Sequence, residues 1–131
     1  MPNIKLANEW ITFAKKSLET AIVLQREKHY TDVIAINIQQ AIEKAFKAIY
    51  AYNGDKVPRT HSLEILFSYA SKCIHLDEIE IKDILKISDY YQTERYPGPN
   101  YFMPDIKEIN AYLKLGEYLL NTIHKFVNEN V

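Results

Sequence analysis

Residues 39–45 read Gln39-Gln40-Ala41-Ile42-Glu43-Lys44-Ala45, inside a run from Thr31 to Tyr52 that holds neither glycine nor proline. Placed on a helix at about 100° per residue, Ile34, Ile38, Ala41, Ile42, Ala45, Ile49 and Tyr52 fall on one continuous face. That face predicts a core stripe, and its alanines let a neighbouring helix approach closely. The opposite face presents Gln40, Glu43, Lys44 and Lys47 as surface neighbours through i,i+3 and i,i+4 spacing. Taken alone, that set is a solvated face with one ion pair worth about 0.3–0.5 kcal/mol. Val33 and Ile36, however, make the N-terminal part of the same helix apolar all round. The polar cluster therefore borders a second contact surface, a subunit interface or a groove.

Working outward, every other segment repeats the helical period. From about Asn3 to Gln25, the residues Leu6, Trp10, Phe13, Ala14, Ser17, Leu18, Ala21 and Leu24 recur every three or four positions. Thr31 or Asp32 is expected to cap the central helix, and Gly54 to end it in a left-handed conformation. A linker, 55–59, precedes a shorter helix with Leu63, Leu66, Tyr69, Ala70 and Cys73 on one side. Asp77 with Glu80 resembles a capping box for a fourth helix, which Pro97 ends. A last helix starts near Pro104, with Asp105 and Glu108 in its first turn, and carries Ile109, Tyr112, Leu113, Gly116, Leu119, Leu120, Ile123 and Val127. The expected fold is all-α: an antiparallel up-and-down bundle of four long helices plus one short one, forming a single domain over residues 1–131.

Whole-chain numbers narrow the classes of function. Sixteen basic against seventeen acidic residues leave no global field for nucleic acid, although a local basic patch would not show in that balance. Cys73 is the only cysteine, so no internal disulfide can form. Asn8, Glu9, Lys15 and Lys16 interrupt any signal-peptide core, and no apolar run approaches the roughly 18 residues of a membrane span. The expected location is the cytoplasm.

Chemistry-bearing residues are few. Arg95 adjoins Tyr96-Pro97-Gly98-Pro99, where a rigid turn would fix its planar fork for phosphate or carboxylate. Tyr90, Tyr91, Tyr96 and Tyr101 could stack a base, or simply pack with wet hydroxyls. His61, in Arg59-Thr60-His61-Ser62, lies at a helix start as a general base or as a partner of the loop backbone. A helix-bundle metal site would need glutamate three residues before histidine, and none of the four histidines has one. No H-E-x-x-H, paired cysteines, phosphate-binding loop or dinucleotide glycine pattern is present, so neither a metal nor a cofactor is expected.

Taken in order, these residues resemble the HEPN family, the higher eukaryote and prokaryote nucleotide-binding domain. The match runs through Trp10 and Ala14, Gln39-Gln40-Ala41 with Glu43-Lys44-Ala45 and Lys47-Ala48, then Gly54, Pro58, Thr60-His61-Ser62-Leu63 with Leu66, and finally Tyr90-Tyr91, Thr93 and Arg95-Tyr96-Pro97. The resemblance implies a four- to five-helix bundle, usually a homodimer, often beside a minimal nucleotidyltransferase in a pair resembling toxin and antitoxin. Other members are ribonucleases, marked by an arginine followed after four to six positions by a histidine. Here Arg95 is followed by Asn100 and its neighbours, and asparagine cannot move protons.

The expectation is a non-catalytic HEPN module that binds a nucleotide or RNA, or a nucleotidyltransferase partner, through Gln40, Glu43, Lys44, His61, Arg95 and Tyr96. Arg95 and Lys44 would meet phosphate and Tyr96 would stack, while Gln40 and Glu43 would orient neighbours. One alternative is a metal-independent ribonuclease toxin with a degenerate motif. Another is a purely structural domain, in which Glu43, Lys44, His61 and Arg95 form a buried network.

Overall fold

The structure, a computed structural model, describes residues 2–95 and 103–129, with backbone alone for 92–95. Five helices follow in order: α1 Ile4–Arg26, α2 Thr31–Asn53, α3 Leu63–Cys73, α4 Ile81–Arg95 and α5 Ile106–Asn128. The predicted all-α bundle is what forms. No strand occurs among the described residues. No helix among them is long and apolar enough to cross a membrane.

Helix α2 is the axis and packs against each of the other four. Ile34, Ile38, Ile42, Phe46 and Ile49 are all but sealed from solvent, and so are Ala35, Ala45, Ala48 and Ala51. Across from them, α1 buries Ala7, Ala14 and Ala21 at seven-residue intervals, so small side chains line both helices. Antiparallel order is held at the helix ends. Asn3 caps α1 by accepting from the Leu6 amide, while its own amide donates to Ala51 O at the far end of α2. Asn8 and Asn128 exchange side-chain bonds of 3.0–3.1 Å at one end of the α1–α5 pair, and Gln25 donates to Asn110 at 3.0 Å at the other.

Gly54 ends α2 as expected, at φ 77°, with its amide on Ala51 O and the Asp55 amide on Tyr50 O. Three boundaries differ from the sequence reading. Tyr30, not Thr31 or Asp32, is the residue before α2, and it supplies no side-chain cap; Asp32 lies inside the first turn and accepts from the Val33 amide. The capping box at Asp77 does not form: α4 begins at Ile81, with Glu80 O accepting from the amides of Asp83 and Ile84. Leu76 is buried and its carbonyl accepts from the Ile79 amide, so the chain makes a separate turn ahead of the helix. At α5, Asp105 is the cap and Pro104 stands before it.

Gly116 lies where α5 meets α1, and a methyl group added there would come within 3.3 Å of Leu18 Cδ1. The end of a leucine side chain can give by that little, and alanine recovers the helix propensity that glycine forgoes. Gly116→Ala should therefore raise stability by up to about 1 kcal/mol, whereas Gly116→Leu should lower it by about 1–3 kcal/mol. Urea titration of both variants checks the reversal of sign.

Two buried tyrosines tie α4 to α5. The Tyr90 hydroxyl donates to Glu108, which also pairs with Lys86 Nζ at 2.8 Å, and the Tyr112 hydroxyl donates to Asp83 at 2.8 Å. Burial first, then the bond to a carboxylate, raises both phenol pKa values above the usual 10. Above about pH 10 the unfolded chain therefore gives up protons that the native state retains. The stability from these groups is complete below that pH and is lost as pH climbs toward the folded values. The urea midpoint should fall between pH 9 and pH 11, and less steeply in Tyr90→Phe or Tyr112→Phe.

Candidate functional site

The site grows from one strip of α2. Gln39, Glu43 and Lys47 stand four residues apart, so their side chains lie in line along the helix. The sequence alone allows this strip to be solvated. The bundle buries it instead: the side chains of Glu43 and Lys47 retain only 5% and 7% exposure, and Gln39 retains none. Burial on this scale requires every polar atom to find a partner, because an isolated charge in such a place costs several kcal/mol. Lys47 Nζ lies 2.9 Å from Glu43 Oε2 and sits over the Trp10 ring at 5.7 Å. Gln39 Nε2 donates to Glu43 Oε1 at 3.0 Å and to His61 O at 3.3 Å, while Gln39 Oε1 accepts from Gln40 Nε2 at 2.7 Å. Among the described residues no buried side-chain nitrogen or oxygen is left unpaired.

His61 closes the strip from the loop before α3. Its Nδ1 lies 3.1 and 3.2 Å from the two oxygens of Glu43. A carboxylate here only accepts, so Nδ1 carries the hydrogen and Nε2 on the far edge is the acceptor of the neutral ring. The imidazole stacks on Tyr91 of α4, with centroids 4.3 Å apart and planes 17° from parallel. Ser62 caps α3 by accepting from the Ile65 amide, and Thr60 accepts from the Ser62 amide, which together hold the loop that presents His61. Beside the stacked rings opens a polar cleft of about 330 Å³ lined by Thr60, His61, Ser62, Ser88, Asp89 and Tyr91.

The six residues singled out from sequence are thus distributed unequally. Glu43 and His61 touch, and Gln40 joins them through Gln39. Lys44 does not join them; its Nζ donates to Ser17 of α1 at 3.1 Å. Arg95 is the last residue of α4, four positions and so one turn beyond Tyr91. The Arg95 side chain and the whole of Tyr96 lie outside the described residues. Gln39, Lys47 and Tyr91 are central here, yet the site predicted from sequence omits them. The spacing 39–43–47 was the available signal for the first two. No spacing could have paired Tyr91 with His61, which belongs to another element. Among the described residues no group of three or more histidine, cysteine, aspartate or glutamate side chains could hold a metal ion.

Comparison with known proteins agrees with this architecture. The model of the HEPN domain family matches residues 7–129. A protein of Methanocaldococcus jannaschii named "Putative toxin MJ1304" is 30% identical over an alignment of 145 residues, covering 97% of this chain and 91% of that one. Two crystal structures share the fold with a TM-score of 0.69 and 20% identity each. One is ST0689, an archaeal HEPN homologue, with 93% of this chain and 98% of that one covered. The other is TT1696 from Thermus thermophilus, with 92% and 97% covered.

Proposed function

We propose a function from one premise, that the chain belongs to the HEPN domain family. On that premise the protein is a nucleotide-binding module that acts in the cytoplasm as a homodimer. It pairs there with a minimal nucleotidyltransferase in a toxin–antitoxin-like couple. The observation that carries this reading is the Glu43–His61–Tyr91 arrangement: a buried, internally neutralised network that presents one imidazole, half exposed, beside a polar cleft. Such a network holds its outermost group in place before a ligand arrives, which is what recognition needs. Arg95, one turn along α4 from Tyr91, and Tyr96 after it remain the proposed contacts for phosphate and base. The name borne by the Methanocaldococcus relative supports the toxin side of the pairing.

Calorimetric titration with a panel of nucleoside phosphates, together with pull-down of a nucleotidyltransferase encoded beside the gene, tests this reading. Binding in the first assay or a stable complex in the second is expected; a blank in both removes it. Sedimentation should show a dimer.

One observation favours a second reading. With Nδ1 engaged by Glu43, the Nε2 of His61 is the edge a general base would use, and Arg95 stands one turn beyond Tyr91 along α4. A ribonuclease would then take its proton acceptor from position 61 instead of a position after Arg95. Cleavage of structured RNA that Arg95→Ala abolishes would favour this enzyme over the binding module.

A further inference from the structure

We infer that the cleft beside His61 is the subsite for the nucleoside half of the ligand, and that it selects ribose over 2′-deoxyribose. The inference rests on the nucleotide-binding reading above.

Three features of the cleft lead there. The first is the open face of His61. Its side chain keeps 48% of its exposure although Tyr91 covers one ring face and Glu43 takes the Nδ1 edge. The exposed area is therefore the opposite face and the Nε2 edge, a flat platform on which a base can stack.

The second is a set of three hydroxyls with protons to spare. Thr60, Ser62 and Ser88 each accept from a backbone amide, those of Ser62, Ile65 and Leu63 respectively. Among the described residues none of the three donates to a protein acceptor, so each retains a proton for a ligand oxygen or nitrogen.

The third is the sign of the charge. Glu43 is offset by Lys47, but Asp89 lines the cleft and, among the described residues, forms no hydrogen bond or ion pair. Asp89 is the one carboxylate among the described residues that line the cleft. A phosphate seated there would face a like charge, whereas a ribose diol would donate to that carboxylate, as it does to the acidic residue of dinucleotide sites. A volume of about 330 Å³ lies at the small end of ligand pockets and suits one nucleoside, with the phosphate outside. A 2′-deoxy ligand leaves Asp89 one donor short.

The test uses the full chain, titrated calorimetrically with AMP, GMP, CMP and UMP and with their 2′-deoxy counterparts, while NMR follows the His61 ring. At least one ribonucleotide should bind about tenfold more tightly than its deoxy form. The His61 resonances should shift on binding. Asp89→Asn, at an exposed position, should reduce the preference to less than about threefold. Equal affinity for both sugars, a preference that survives Asp89→Asn, or binding without a shift at His61 would overturn the subsite while nucleotide binding itself stands. No binding of any of the eight nucleotides would remove both.

Discussion

Glu43→Met should lower the unfolding free energy by about 3–5 kcal/mol, a fall in melting temperature of roughly 10–20 °C for a chain of this size. The substitution leaves Lys47 as a cation with 7% side-chain exposure, and among the described residues only the Trp10 ring remains to face it. His61 loses its acceptor and Gln39 one of its two in the same step. The loss is therefore the penalty of an uncompensated buried charge, far larger than the few tenths of a kcal/mol of an exposed i,i+4 pair. Adding Lys47→Met should restore most of the stability, since apolar side chains of similar volume replace a buried ion pair at little net cost. Thermal melts followed by circular dichroism decide the matter. A single-variant loss below about 1 kcal/mol would mean that the pair behaves as a surface pair, and the account of a buried network would fail.

His61→Ala should do the reverse, with a small effect on the fold and a large one on recognition. Glu43 keeps Lys47 and Gln39 when the imidazole goes, and the ring is already half exposed. Stability should fall by only about 1–2 kcal/mol, the worth of a hydrogen bond to a charged group at a partly solvated position. Nucleotide affinity should fall at least about tenfold, because the open ring face and the Nε2 edge are lost together. Denaturation and calorimetry on one sample separate the two effects. If affinity is unchanged while stability drops, the network is structural and the site lies elsewhere.

Much of the fold was legible because helical periodicity is local. Ile34, Ile38, Ala41, Ile42, Ala45 and Ile49 announced the core face of α2, and Gly54 announced its end, without reference to any other helix. Misplaced starts occurred where a distant demand intervened. Asp77 has the chemistry of a cap, but the chain makes a turn from Leu76 to Ile79 there, and α4 begins only at Ile81. The site was legible in part. Glu43 and His61 were both named from the chain, yet their contact spans eighteen positions and two elements. Lys44 was preferred to its neighbour Lys47 because charge and spacing do not differ between them; only the packing of α1 against α2 sends one to Ser17 and buries the other on Glu43.

By itself, then, the order of residues 31–54 determined a helix, its apolar face and its stop, since propensity, period and a left-handed glycine act within a few residues of chain. Tertiary structure alone decided what the other face is for. Whether Gln39, Glu43 and Lys47 meet water or one another depends on which helices cover them, and α2 lies between all the rest. Once water was excluded, each polar atom had to be paired within the protein. That requirement drew His61 from the α3 loop onto Glu43 and set its ring on Tyr91, opening the cleft beside them.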